Sequence, residues 1–181
     1  MIEQHYIDDM LLQLNKLKGQ AEKAIAQVDD GQFFAVLDPE ANSIAIIMKH
    51  VAGNMRSRWT NFLTSDGEKP DRNRDGEFVA RNQETRAEIV SAWDDGWKRT
   101  TDAIAALAPG DLSRTVHVRG EAHTVLEAIN RQVAHYAAHV GQIVLLAKHF
   151  AGSHWQTLSI PRGKSQEVDV SKKGAPYAYK K

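Results

Sequence analysis

Thr124-Val125-Leu126-Glu127-Ala128-Ile129-Asn130-Arg131-Gln132-Val133-Ala134-His135-Tyr136-Ala137-Ala138-His139-Val140-Gly141-Gln142 is the stretch whose reading decides the fold. It opens with a capping box, Thr124 followed three residues later by Glu127. Val125, Ile129, Val133, Tyr136, Val140, Ile143 and Ala147 then recur at steps of three and four, the signature of an amphipathic helix running to about Ala151. His135 and His139 lie one turn apart on a flank of that apolar stripe, with Arg131 and Gln142 on the same flank. Imidazoles so placed, with Cβ atoms about 5–6 Å apart, can reach a single ion.

Working outward, three more segments repeat the pattern. Ile7, Leu11, Leu14, Leu17, Ala21, Ile25 and Val28 predict a first helix over about residues 3–28, stopped by Asp29-Asp30-Gly31. Asn42 or Ser43 caps a second, with Ile44, Ile47, Met48, Val51, Met55 and Phe62 on one face and a stop near Ser65-Asp66-Gly67. A second capping box, Thr85-Arg86-Ala87-Glu88, opens the third, whose stripe is Ile89, Trp93, Trp97, Ile104 and Leu107 before Pro109-Gly110.

Four such helices can bury their apolar sides only against one another, so the expected fold is all-α, a four-helix bundle. The link of about twenty residues from Ser65 to Glu84 is long enough to travel the bundle and let helices two and three run parallel. The link before the fourth helix holds a candidate extended piece, Thr115-Val116-His117-Val118. After Ala151, Trp155-Gln156-Thr157-Leu158-Ser159-Ile160-Pro161 reads as an extended segment packed on the helices. The expected organisation is a bundle over 1–160 and a polar, basic, mobile tail over 161–181.

The totals narrow the function. A chain of 181 residues fits one ordinary domain. It has no cysteine, which excludes disulfides, thiolate ligands and cysteine nucleophiles, so any soft metal ligand must be histidine. The 23 basic and 23 acidic residues balance, so no global charge draws the protein to nucleic acid or anionic lipid. Met1-Ile2-Glu3-Gln4-His5 lacks the basic and apolar regions of a signal peptide, and no apolar run reaches the ~20 residues needed to span a bilayer. The expectation is a cytoplasmic protein with neither nucleic-acid nor membrane partners.

The histidine pair needs a third ligand to form a site. His50, inside Ile44-Ala45-Ile46-Ile47-Met48-Lys49-His50-Val51, sits beside the apolar stripe of the second helix and is the candidate. The bland alternative is a set of partly buried histidines bonded to backbone or neighbours. Three protein ligands leave coordination positions open, as in catalytic sites, whereas structural zinc is normally closed by four. Tyr136 stands where a His-Glu-x-x-His protease carries its general base, and no Glu-x-x-His pair supports di-iron chemistry. Asn54, Arg131 and Gln142 are candidate substrate-binding residues. Asp66, Glu68, Asp71, Arg72, Arg74, Asp75 and Glu77 form either a solvated polar loop or a lid that brings a carboxylate and an arginine to the site. No residue is assigned as the catalytic acid or base.

Several patterns lead nowhere. Asp71-Arg72-Asn73-Arg74-Asp75-Gly76 opens like a calcium loop, but its twelfth position is Asn82 and it carries two arginines. Gly163-Lys164-Ser165 lacks the earlier glycine of a phosphate loop. His5, His117, His123, His149 and His154 have no partner at ligand spacing, although His154 can be considered as an extra ligand from the tail. Trp59, Trp93, Trp97 and Trp155 read as core or dimer contacts.

Lys49-His50-Val51-Ala52-Gly53-Asn54-Met55, Trp59-Thr60-Asn61-Phe62-Leu63, Asp66-Gly67-Glu68-Lys69-Pro70, Asn130-Arg131-Gln132, His135-Tyr136-Ala137-Ala138-His139-Val140-Gly141-Gln142 and Leu158-Ser159-Ile160-Pro161-Arg162-Gly163-Lys164-Ser165 together resemble the DinB/YfiT-like superfamily. The likeness is to a branch described only as a domain of unknown function. It implies a four-helix bundle, commonly dimeric, that holds a divalent metal on His50, His135 and His139. Zinc or nickel comes first as the ion, with iron or manganese also compatible. Related members are thiol-dependent transferases or isomerases, and others are labelled hydrolases. The implied activity is therefore metal-dependent activation of water or a low-molecular-weight thiol against a small-molecule substrate. A non-catalytic, metal-binding dimer with a stress-response or interaction role is the alternative.

Overall fold

The computed structural model describes residues 2–79 and 84–167. Among these the chain is mostly helical: α1 (Ile2–Ile25), α2 (Asp30–Phe34), α3 (Ile44–Trp59), α4 (Arg86–Ala105) and α5 (Val125–Ala151), with an antiparallel hairpin of β1 (Thr115–Val118) and β2 (Glu121–Thr124). Both anticipated capping boxes form. Thr85 with Glu88 opens α4, Thr124 with Glu127 opens α5, and the Ser43 hydroxyl caps α3 by accepting the Ile46 N–H.

Two expectations need correction. The first helix ends at Ile25, short of the expected end near residue 28, and Asp29 starts α2 instead, since its carboxylate accepts the Gln32 N–H while the Gln32 side chain accepts the Asp29 N–H. An aspartate ahead of a short run is a helix start as readily as a stop, because its carboxylate accepts a backbone N–H of the first turn. The second helix stops at Trp59, short of Phe62, where Asn61 turns the backbone at φ +50. Phe62 is nonetheless buried and stacks on Trp59, so its place in the apolar pattern reflects the core and not helical register.

The long helices pack in a defined order. The Tyr6 hydroxyl donates to Asn130 near the starts of α1 and α5, and Gln27 reaches Gln156 beyond their ends, so these two run in the same direction. Lys49 pairs with Glu84 ahead of α4, while Ala52 and Met55 meet Gly96 a few turns on, so α3 and α4 also run together. Arg86 donates to the Ile25 carbonyl and Lys18 pairs with Asp94, which makes α1 and α4 opposed. The shared buried core includes Leu14, Phe33, Met48, Met55, Ile129 and Ile143, together with Trp93, Trp97 and Tyr136 in successive edge contacts. Three of the tryptophans, Trp59, Trp93 and Trp97, are thereby core residues, and Trp155 packs at its margin.

The link after α3 folds back along that helix. The Ser57 hydroxyl donates to the Gly67 carbonyl and accepts the Lys69 N–H, Arg56 pairs with Asp71, and Lys49 donates to the Val79 carbonyl. The hairpin is tied to the same link. The Asp66 carboxylate accepts the N–H groups of Glu68, Arg119 and Gly120, and the Gly67 N–H donates to the His117 carbonyl. Arg119 and Gly120, at φ +57 and +76, form the hairpin turn, and Gly120 meets no steric cost there. Beyond α5, Leu158 packs on the core and residues 161–166 are exposed. From residue 168 on, the expected mobile tail lies outside the described residues. No described helix is long and apolar enough to cross a membrane.

Candidate metal centre

The crossing of α3 with α5 brings three histidines to one point. Nε2 of His135 lies 3.4 Å from Nε2 of His50 and 3.0 Å from Nε2 of His139. One ligand atom from each residue falls within 4.8 Å of the others, and this is the group of that kind found among the described residues. Nitrogens bound to one ion at about 2.0–2.1 Å stand about 3.3 Å apart at a tetrahedral angle and about 2.9 Å apart at a right angle. The observed spacings are those of a coordination edge.

Protons on the ring nitrogens decide which way the lone pairs point. Nδ1 of His50 lies 2.9 Å from Oε2 of Glu77; a carboxylate only accepts, so His50 carries its proton on Nδ1 and presents a lone pair at Nε2. Nδ1 of His139 lies 2.9 Å from Oε1 of Gln142, with the same consequence. Without a cation, two lone pairs converge on the Nε2 of His135. A proton on that Nε2 lets His135 donate to one of its neighbours, but it leaves the second lone pair unmatched and the buried Nδ1 still without a hydrogen-bond partner among the described residues. Burial, then the neighbouring His139 and His50, lower the pKa of His135 to about 4. Burial likewise lowers His139, although its bond to Gln142 opposes this. Both rings are therefore neutral near pH 7, the form that coordinates a metal. This all-imidazole donor set fits a divalent transition ion.

Glu77 is held for its role from several sides. It is 7 % exposed, and burial alone would raise its pKa. The hydrogen bond from His50 and a two-pronged pair with Arg72, 2.8 and 2.9 Å, overcome that and keep the carboxylate ionised. Its backbone belongs to a short 3₁₀ turn, Asp75–Phe78, packed on α3. Gly53 supplies the space on α3, and the Phe78 ring lies 4.7 Å from the His50 ring. A carboxylate that orients a ligating imidazole through its second nitrogen is a recurrent support for metal sites. The polar segment expected as either a solvated loop or a lid thus contributes Glu77 and Arg72, while Asp71 turns away to Arg56.

Beside the histidines is a cavity of about 170 Å³. His50, Asn54 and His135 line it together with Gln132 and five arginines, Arg58, Arg72, Arg74, Arg119 and Arg131. Arg58 is 7 % exposed, and its nearest carboxylate, Glu68, is 3.7 Å away. Its burial, which outweighs the pull of Glu68, holds its pKa below the ordinary range.

The three candidate substrate residues part ways. Asn54 lines the cavity and accepts the Tyr136 hydroxyl at 3.2 Å; that hydroxyl in turn accepts Trp59 Nε1–H at 2.9 Å. Arg131 also lines the cavity and donates to Nε2 of His123 at 3.1 Å. Gln142 is engaged behind the site as the partner of His139. His154 lies exposed beyond α5 and is not among the converging ligands. Sequence reasoning missed Arg58 and Gln132 as cavity residues. The signal was available: Asn54 and Arg58 follow His50 at steps of four, and Gln132 precedes His135 by three, so each repeats on the face of its histidine.

A family model described as "Protein of unknown function (DUF1572)" matches residues 1–164. No curated protein and no solved structure matches the chain.

Proposed function

The chain belongs to the DUF1572 family of proteins of unknown function, and from that premise we propose that it is a metal-dependent enzyme on a four-helix bundle of the DinB/YfiT-like kind. In this reading Nε2 of His50, His135 and His139 hold one divalent transition ion, zinc or nickel foremost, and the link after α3 is the crossover that lets α3 and α4 run parallel. A divalent ion held there supplies Lewis-acid chemistry, polarising a carbonyl or making water or a low-molecular-weight thiol a better nucleophile at neutral pH. The chain's own residues fix two imidazoles through Glu77 and Gln142, keep the rings neutral by burial, and leave a cavity against His50 and His135 for a small molecule.

The observation that carries this reading is the approach of Nε2 of His50 and of His139 to Nε2 of His135, at 3.4 and 3.0 Å, in a group whose ligand atoms one cation can reach. A structural ion would be enclosed by four protein ligands. Here three histidines converge beside an open cavity, which favours the catalytic reading over a stabilising one.

Elemental analysis of protein purified without added metal, before and after reconstitution, tests the site. The wild type is expected to carry close to one equivalent of a transition metal and His139→Ala well under half. Less than a tenth of an equivalent in reconstituted wild type would remove the basis of the proposal. Hydrolase and thiol-transferase activities are separated by assaying the loaded protein on activated esters with and without a small thiol.

A further inference from the structure

The cavity beside the histidines has an unusual wall. Five guanidinium groups line it, and no carboxylate does among the described residues. The nearest acidic groups are already shared among these and other partners: Glu77 with Arg72 and His50, Glu68 with Arg72 at 3.2 Å, Arg119 at 3.4 Å and Arg58 at 3.7 Å, and Glu121 with Arg131 at 3.7 Å. Of the two buried side chains among the arginines, Arg58 and Arg72, Arg58 is the less well served. Its Nε and Nη1 are buried without a hydrogen-bond partner, although the residue is 93 % removed from solvent, being 7 % exposed. Gln132, at 3 % exposure, leaves its Oε1 unpartnered on the same wall.

These orphans are not scattered through the molecule. Of six buried side-chain nitrogen and oxygen atoms without a partner among the described residues, four belong to Arg58, Gln132 and His135, which all line this cavity. A buried guanidinium with open N–H groups is costly, and more so beside others of like charge. An oxyanion beside this wall offsets part of that cost through its opposite charge, and the planar fork of arginine matches a carboxylate or phosphate through paired N–H donors.

We propose that this cavity binds the anionic group of a small-molecule substrate, a carboxylate or a phosphate, with Arg58 as its principal partner and Arg119 and Arg131 as supporting ones. The inference deepens the function proposed above, resting on it for the chemistry at His50, His135 and His139 but not for the anion site itself. With the acid group among the arginines, the rest of the molecule extends toward the histidines across the cavity, which at about 30 Å³ per water holds roughly six water-sized groups. The substrate class is thus a small organic acid or phosphate ester whose reacting centre lies a few bonds from its charge.

The test is isothermal titration of the full-length protein, metal-loaded and chelator-treated, with inorganic phosphate, with malonate and with the neutral analogue malonamide. Saturable one-site binding of phosphate or malonate is expected, with malonamide at least tenfold weaker. Stronger phosphate binding points to a phosphate ester, stronger malonate binding to a carboxylic acid. Arg58→Gln is expected to weaken the anion at least tenfold and Arg131→Gln severalfold, while Arg99→Gln, on the exposed face of α4 and paired with Asp95, leaves it unchanged. Should Arg58→Gln fail to fold, wild type, Arg131→Gln and Arg119→Gln still decide the matter. Absence of saturable binding by either anion, equal binding of malonamide, or binding indifferent to these arginines overturns the proposal. Anion binding in a protein that takes up no metal upholds this site and sinks the metal-dependent reading alone.

Discussion

Gly53 and Glu77 are in such close apposition that a Cβ on Gly53 would lie 2.8 Å from the Glu77 carboxyl carbon. The glycine sits in mid-helix, where it costs about 1 kcal/mol relative to alanine. That cost is offset by what the gap admits, a carboxylate that reaches across α3 to the Nδ1 of His50. Gly53→Ala is therefore expected to pull propensity and packing in opposite directions. Metal affinity should fall about tenfold or more because Glu77 is pushed off His50. A thermal melt and a chelator-competition titration on Gly53→Ala, Glu77→Ala and the double variant separate the effects. If Gly53→Ala lowers affinity further when Glu77 is already alanine, the clash is not the cause.

Glu77→Gln isolates charge from shape. The amide keeps an oxygen to accept from His50 but loses the ionic pair with Arg72, which is buried and would be left without its main counter-charge. Breaking one side of such a pair costs on the order of 3–5 kcal/mol when fully buried. Removing a carboxylate behind a ligating histidine typically weakens metal binding about 10- to 100-fold. Both changes are expected, the first in urea unfolding of the chelator-treated protein and the second in competition with a chromophoric chelator. Unchanged affinity in a folded Glu77→Gln protein would show that the carboxylate supports the fold and not the ion.

How much of this was legible beforehand depends on the range of the interaction involved. Helix starts were readable because a capping box is local: Thr85 with Glu88 and Thr124 with Glu127 satisfy backbone donors within three residues. The approach of His50 to His135 and His139 was readable as a face argument, since two amphipathic helices must bring their flanks together somewhere. Glu77 could be named only within a group of seven candidates. What selects it is the path of the link back along α3, fixed by contacts of Ser57, Arg56 and Lys49 that no periodicity encodes. The arginine wall was the least legible, because Arg119 reaches it from a hairpin turn held by Asp66, which is 53 residues away in sequence.

That clamp gives a pH prediction. Burial opposes ionisation of Asp66, but three backbone N–H bonds and the nearby Arg58 charge outweigh it and bring its pKa from 3.8 to about 2. The folded form thus releases its proton more readily than the unfolded chain. The stabilisation is fully present above about pH 4 and is lost as pH falls through about 2. Allowing for partial solvent exposure, it is on the order of 1 kcal/mol. Urea unfolding at pH 7 and pH 2.5 is expected to show a smaller acid loss for Asp66→Asn than for wild type by about that amount. An identical loss in both proteins would count against the clamp.

Tyr136 carries the last prediction, which concerns the floor of the site. Its hydroxyl is fully buried, accepts from Trp59 Nε1–H and donates to Asn54, and burial raises its pKa well above the usual phenol. It therefore stays protonated and serves as a bridge, not as a base. Tyr136→Phe removes one oxygen but strands two buried partners, and each unsatisfied group costs about 1–3 kcal/mol. The variant is expected to lose roughly 2–4 kcal/mol in denaturant unfolding. Since Asn54 lines the cavity beside His50 and the loss of its partner frees it to rotate, ligand binding should weaken severalfold while metal content stays near that of wild type. Asn54→Ala separates the two roles. If the Asn54 bond is the link between them, Tyr136→Phe should weaken ligand binding much less in the Asn54→Ala background than in wild type. Equal weakening in both backgrounds would mean that Tyr136 acts on the cavity through core packing instead.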